Sequence, residues 1–232
     1  MTDLADAHVL VLGATGGLGA PISRRLVEAG ARVSVSGRSA DRLKALAADL
    51  GDAVAGVMPA DLRLPGAAEH VVRAAVEAGG PLTGVVYAAG VVAFGDTVDL
   101  DDDTLDDLLL LNLIAPIRTI RAAVPHLDAG GFIVQLSAIV AERPMAGMAA
   151  YSASKAGLTA FGVAAGSELR RRKIRLIDAR PPHTETGLAD RPIAGSAPKL
   201  GEGLAPDAVA ERVVRAIIDD ERQLDSVAFT DS

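Results

Sequence analysis

The sequence predicts an α/β fold of the doubly wound kind, with a seven-stranded parallel sheet, helices on both faces and a single domain over residues 1–232. Three observations carry this expectation. Short β-branched apolar runs alternate with longer helical stretches almost without a break. The runs are apolar throughout rather than at every second position, which marks strands buried on both faces. Glycines stand where helices end and a left-handed cap is wanted. Strands alternating with helices build βαβ units whose right-handed crossovers cover both sides of a parallel sheet.

In order, His8–Leu12 reads as a strand and Leu18–Ala29 as a helix stopped by Gly30. Arg32–Ser36 is the second strand, followed by a helix over Asp41–Leu50 and Gly51. Val54–Met58 and a helix over Gly66–Ala78 come next, closed by Gly79 and Gly80. Gly84–Ala88 is the fourth strand, and one long helix is expected from Asp102 to Leu127. The acids between Asp99 and Asp107 suit its start, where the helix dipole favours negative charge. Phe132–Leu136 is a strand, Ala150–Arg172 a helix and Ile174–Asp178 a strand. The basic run Arg170 to Lys173 suits the end of that helix by the same dipole argument. A loop rich in Pro, Gly and Thr spans 181–205, long enough to be a substrate lid. A helix over Pro206–Asp219 and a last strand over Ser226–Phe229 complete the pattern.

Composition narrows the function. A chain of 232 residues with a net charge of −7 is expected to hold neither nucleic acid nor an anionic membrane as partner. There is no cysteine, and the 4 histidines lack ligand spacing, which argues against thiolate chemistry and a zinc site. The opening MTDLADAHVLVLG is acidic where a signal peptide is basic, and no stretch reads as long enough for a membrane span, so a cytoplasmic protein is expected.

The segment GATGGLG, Gly13 to Gly19, sits between the first strand and the first helix. Gly13 permits a tight turn, Gly17 clears a side chain from the path of a pyrophosphate, and Gly19 lets helix and strand pack closely. That setting predicts dinucleotide binding on a Rossmann fold. YSASK, Tyr151 to Lys155, puts a phenol and an ammonium one helical turn apart on one face. A neighbouring cation favours an ionised phenol, so Tyr151 is expected to titrate lower and exchange a proton near neutral pH.

With these two motifs at this separation, the chain resembles the short-chain dehydrogenase/reductase family along nearly its whole length. The resemblance implies hydride transfer between a nicotinamide cofactor and a carbonyl or alcohol, with Tyr151 as acid/base, Lys155 beside it and on the ribose, and Asn112 supporting a proton relay. Asn112 interrupts the apolar run LLLLNLIAP, and the family role is favoured over that of a core amide satisfied by backbone. The family's serine falls on Ala138. Ser137 is its neighbour and would face away, because adjacent strand residues alternate, unless a bulge turns it toward the site. Ser137 is kept as the fourth catalytic candidate on that condition.

The resemblance further implies cofactor contacts from Gly13, Thr15, Gly17, Leu18 and Gly19, from Asp61 and Leu62 at the adenine, and from Ala89 and Gly90 at the ribose. Asp61 suits a helix cap equally well. In Tyr87-Ala88-Ala89-Gly90 both asparagines of the family pattern are gone. After the second strand stands SGRS, with Gly37, Arg38 and Ser39 and no acid for a ribose 2′-hydroxyl. Arg38 offers a fork for a 2′-phosphate, so NADP is expected over NAD. In RPPHTETGL, Pro181, Thr184 and Thr186 are placed at the nicotinamide, while Pro182 replaces a glycine and His183 is read as a loop histidine.

The first reading is thus an NADP-dependent oxidoreductase acting on a small carbonyl or secondary alcohol. The second is a non-catalytic dinucleotide-binding redox sensor or interaction protein of the same fold, favoured by the altered serine, asparagine and glycine positions. The intact Tyr151/Lys155 pair argues against it. A nucleotide-sugar epimerase would need a substrate domain for which the chain has no room. The resemblance also implies a homodimer or homotetramer paired through the helices around Asn112 and Tyr151.

Overall fold

The computed structural model describes residues 1–230. Seven strands form one sheet in the order β3-β2-β1-β4-β5-β6-β7, every neighbouring pair parallel. They are β1 (His8–Leu12), β2 (Arg32–Gly37), β3 (Val54–Pro59), β4 (Leu82–Tyr87), β5 (Leu127–Leu136), β6 (Arg175–Ala179) and β7 (Gln223–Leu224). The helices are α1 (Gly19–Glu28), α2 (Ala40–Leu50), α3 (Ala67–Gly79), α4 (Asp102–Leu109), α5 (Ala115–Ala123), α6 (Ala149–Leu169) and α7 (Pro206–Ile218).

Because successive strand residues point to opposite faces, each strand feeds two cores. On β1, Val9 and Val11 join Ile22 and Leu26 of α1, Leu43 of α2 and Val213 of α7. Leu10 and Leu12 join Val71 of α3, Ile120 of α5 and Leu169 of α6 on the other face. This double burial is why the strands carry no alternation. The chain leaves β1 for β2 on one side and returns to β4 on the other, so the sheet order reverses beside β1. Ligands bind such sheets outside the carboxyl ends of the strands at that reversal.

Two elements depart from the sequence reading. The long helix is interrupted: Leu110–Ile114 forms a π-helical turn centred on Asn112, joining α4 to α5. The extra residue in such a turn frees a carbonyl from the regular ladder, and the Tyr87 hydroxyl donates to Leu111 O at 2.8 Å. The last strand is the second departure. Ser226–Phe229 is not a strand, since Val227–Phe229 is a 3-10 turn and β7 is the short Gln223–Leu224. Ser226 is held by Glu142, which accepts from both its backbone N–H and its hydroxyl, and this turns the chain off the sheet.

The helical run Asp102–His126 is 25 residues long and apolar enough to cross a membrane by length and composition, contrary to the expectation of no such stretch. Within it Leu108, Leu111, Ala115 and Ile120 are buried in the core, and α5 packs on α3.

Gly84 of β4 lies under the fully buried ring of Phe132, and a Cβ there would overlap the ring edge. Overpacking of this kind costs about 2 kcal/mol. Gly84→Ala is expected to lower the urea unfolding midpoint accordingly, with an unchanged m-value.

Candidate active site

The carboxyl ends of β1, β2, β4, β5 and β6 open into one cavity of about 650 Å³. The glycine turn after β1 forms its floor. Gly13 has φ 75°, and a Cβ there would lie 2.5 Å from Ala89 N. A side chain at Gly19 would overlap Gly13 O, so α1 starts directly on the turn only because neither residue has one. Gly19 therefore acts from behind, and is the one cofactor candidate that does not line the cavity. All the others do: Gly13, Thr15, Gly17, Leu18, Gly37, Arg38, Ser39, Asp61, Leu62, Ala89, Gly90, Tyr151, Lys155, Pro181, Thr184 and Thr186. A cleft floored by bare backbone at a helix start fits the pyrophosphate of a dinucleotide.

At the β2 end, Ser39 caps α2, its hydroxyl accepting from Arg42 N. The cap brings Arg42 back over the turn, where its Nη2 donates to Thr15 O at 2.5 Å. Arg38 and Arg42 thus face the cavity together. Sequence reading missed Arg42, although its place three residues after a capping serine was the available signal. Asp61 is gripped by Arg63, which also bridges to Asp107 at 2.8 Å. These bonds hold the Asp61 carboxyl below its ordinary range and fix it at the cavity wall.

Tyr151 and Lys155 project from the first turns of α6 into the cavity, 7% and 5% exposed. Lys155 Nζ lies 5.9 Å from the Tyr151 ring centroid and donates to Leu136 O at 2.9 Å. The expected lowering of the phenol does not hold in this arrangement. Burial pushes Tyr151 up to about 12 and Lys155 down to about 8. Desolvation disfavours both charged forms, and at this separation it outweighs the attraction between them. Tyr151 is therefore a neutral donor at neutral pH.

Asn112 is buried and does not line the cavity. Its amide clamps Val91, accepting from Val91 N at 3.0 Å and donating to Val91 O at 2.9 Å, and also donates to Ser154 Oγ. Gly90 lies against both this amide and the lysine: a Cβ there would sit 3.2 Å from Asn112 Oδ1 and 3.6 Å from Lys155 Nζ.

Ser137 lines the cavity wall. The β5–β6 register runs unbroken through Leu136, with no bulge in that stretch. The Ser137 hydroxyl donates to Lys155 O and pairs with Thr159 Oγ1 at 2.9 Å, so it is engaged by α6. Ala138, the next residue, has extended backbone and lines the same cavity.

The segment over 181–205 closes the cavity from above. Thr184 bridges Leu204 at its base, and Val92 and Phe94 pair with Ile193 and Ala194 at its tip. Its apolar side chains meet those of Val140, Met148 and Tyr151. His183 points to Glu185 at 3.4 Å.

A doubly wound sheet, a bare-backbone cleft at its switch point and a buried phenol–ammonium pair together define a dinucleotide-dependent oxidoreductase. The short chain dehydrogenase family model matches residues 7–194, and the chain belongs to the NAD(P)-dependent short-chain dehydrogenase/reductases. It is 30% identical to an uncharacterized oxidoreductase of Methylorubrum extorquens, over 96% of this chain and 94% of that one. It is 33% identical to the cyclic-di-GMP-binding biofilm dispersal mediator protein of Escherichia coli, over 80% of this chain and 77% of that one. A short chain dehydrogenase from Burkholderia cenocepacia, solved in complex with NADP, superposes with TM-score 0.87 at 30% identity over 97% of both chains.

Lys155 sits at about 8 against an ordinary value of 10.5. Between those pH values the unfolded chain holds a proton that the folded chain does not, so native stability rises with pH across the window. Lys155→Met removes the titrating group, so the rise in urea-unfolding free energy between about pH 8 and 10, on the scale of 1.4 kcal/mol per pH unit, is expected in the parent and not in the variant. The difference between the two proteins should therefore change across that window. A constant difference across pH would contradict the assignment.

Proposed function

We propose that this chain transfers hydride between NADP(H) and a small, largely apolar ketone, aldehyde or secondary alcohol, with Tyr151 as the acid/base. The observation that carries the reading is the neutral Tyr151 phenol, buried beside the Lys155 ammonium in the same cleft as the glycine turn. The nicotinamide dinucleotide, when bound, supplies or accepts the hydride. Tyr151 gives its hydroxyl proton to the carbonyl oxygen in reduction and takes it back in oxidation. The nearby Lys155 charge offsets the negative charge that develops on the phenol oxygen.

Arg38 and Arg42 at the β2 end provide two guanidinium forks for a 2′-phosphate, and no carboxylate stands there to prefer a 2′-hydroxyl. The apolar walls at Ala138, Ile139, Val140, Met145, Met148 and Leu188 suit an uncharged substrate. Asn112, by clamping Val91 beside Gly90, shapes the wall behind the lysine. We also propose a cytosolic protein without nucleic-acid or membrane partners, which pairs with copies of itself. The half-exposed Leu109, Leu110 and Leu113 and the exposed Val163 of α6 offer an apolar face for that pairing.

One observation favours the second reading, a dinucleotide sensor without turnover: Ala138 stands at the position of the family's serine, and the Ser137 hydroxyl at the cavity wall is already bonded to Lys155 O and Thr159. The readings separate by titrating NADPH and NADH and then assaying a panel of ketones and aldehydes. For the enzyme, Tyr151→Phe is expected to lower kcat by about 10²–10⁴-fold with NADPH binding retained. Binding with no turnover in either protein would support the sensor. The double substitution of Arg38 and Arg42 by Ala should weaken NADPH at least about tenfold and NADH little; equal weakening would refute the 2′-phosphate assignment.

If Ala138 faces the substrate oxygen, Ala138→Ser supplies the missing donor. Turnover of the best ketone is expected to rise by about tenfold or more, the scale on which single oxyanion donors act. A fall in kcat with unchanged NADPH affinity would show that the cavity is shaped for an alanine.

A further inference from the structure

We propose that Asp178 is a positioning residue for Lys155, a carboxylate lodged behind the site whose charge keeps the lysine in its cationic form. Asp178 lies on β6, is 3% exposed and does not line the cavity. It stands in register with Gln135 of β5, and Leu136, the next residue of β5, supplies the carbonyl that receives Lys155 Nζ. Gln135 Nε2 donates to Asp178 Oδ1 at 2.8 Å and to Leu158 O of α6 at 2.9 Å. Thr159 Oγ1 meets Ser137 Oγ, which donates to Lys155 O. The carboxylate is thus bound into the helix turn that carries the lysine.

A neutral amide could accept from Gln135 equally well, so hydrogen bonding does not account for a charge here. A buried carboxylate persists where cations offset its loss of water. Two cations face Asp178. Arg180 Nε is 3.5 Å from Oδ2, but is drawn closer to Glu142, at 3.1 Å. The other is Lys155, whose one hydrogen bond among the described residues goes to a neutral carbonyl. Of the groups around Lys155, Tyr151 on α6 is neutral, Asn112 on the π-helical turn carries no charge, and Asp178 on β6 is the anion. The attraction runs both ways, drawing Lys155 up and Asp178 down against the opposing effect of burial on each. Without Asp178, desolvation would act on Lys155 unopposed, and the ammonium would lose its proton nearer neutral pH.

The proposal rests on the oxidoreductase reading only in its kinetic arm. Lysines are few (Lys44, Lys155, Lys173 and Lys199), so side-chain carbon NMR of lysine-labelled protein can follow each one, with Lys155 assigned from its loss in Lys155→Met. In Asp178→Asn the Lys155 titration midpoint is expected about one pH unit below that of the parent. With a reducible ketone, the alkaline limb of kcat should move by the same amount, while KM for NADPH stays within about threefold. Gln135→Met removes the donor to the carboxylate and should shift Lys155 in the same sense by less, which keeps the test available if the asparagine variant does not fold. An unchanged Lys155 midpoint in the folded variants would overturn the proposal, even if activity fell. A shifted midpoint in a protein without turnover would uphold it while refuting the oxidoreductase reading.

Discussion

Lys155 carries its ammonium to a place water barely reaches, and much of the surrounding architecture answers that constraint. A charged group buried without partners would be neutralised or would unfold its surroundings. Here the end of β5 offers the Leu136 carbonyl, and β6 places Asp178 behind it. The hydroxyl of Ser137 is committed to the backbone of Lys155 itself. That last contact has a consequence for chemistry. Ser137 steadies the helix turn that presents the lysine, and because neighbouring strand residues alternate, the next side chain toward the substrate belongs to Ala138. The position of the lysine and the engagement of the Ser137 hydroxyl are two results of one strand register.

The same reasoning links the fourth strand to the interrupted helix. Beside β4, a regular helix from Asp102 onward would carry an unbroken ladder past Val91. The π-helical turn at Leu110–Ile114 breaks that ladder. Tyr87 donates to Leu111 O, and the Asn112 amide satisfies both backbone groups of Val91. Burial holds the Tyr87 phenol well above its ordinary range, so it remains a donor. Tyr87 stands where the family pattern has an asparagine, so this chain supports the segment after β4 with a phenol from beneath and an amide from the side. The ribose end of the cleft is thereby fixed through backbone, although the family's side chains there are missing.

How much of this was legible in the sequence follows from the range of the interactions. The strands, the helices and the glycine turn depend on local patterning, so their order and most boundaries could be read directly. The cofactor candidates share one cavity because the topology gathers the strand ends, and topology follows from the alternation. The engagement of the Ser137 hydroxyl could not be read, because its partners Lys155 and Thr159 lie on a helix 18 and 22 positions further along the chain. The titration of Tyr151 could not be read, because it depends on burial of the phenol by the lid and α6, and burial is a tertiary property that outweighs a neighbouring charge in the sequence. Asp178 left no signal either, being one acid at the end of an apolar run. The last strand was misread for a similar reason: Ser226 is held by Glu142, 84 positions earlier.

Gly17 serves two claims on the same space. Its missing side chain leaves room for a pyrophosphate above the α1 start, yet in this structure the backbone and Cβ of Thr186 sit where that side chain would be. A glycine here therefore allows the lid to lie against the turn as well as a phosphate to approach it. The lid is tied at its base through Thr184 and Leu204 and at its tip through Val92 and Phe94, and Thr186 falls between those ties, next to Gly187 with φ 68°. Displacing Thr186 thus requires a local change in the 185–188 turn rather than release of the whole segment. The hydroxyl of Thr186, which now accepts from Leu188 N at 3.3 Å, is held by a single long bond. It can reorient toward a dinucleotide without breaking the contacts that roof the substrate end of the cavity.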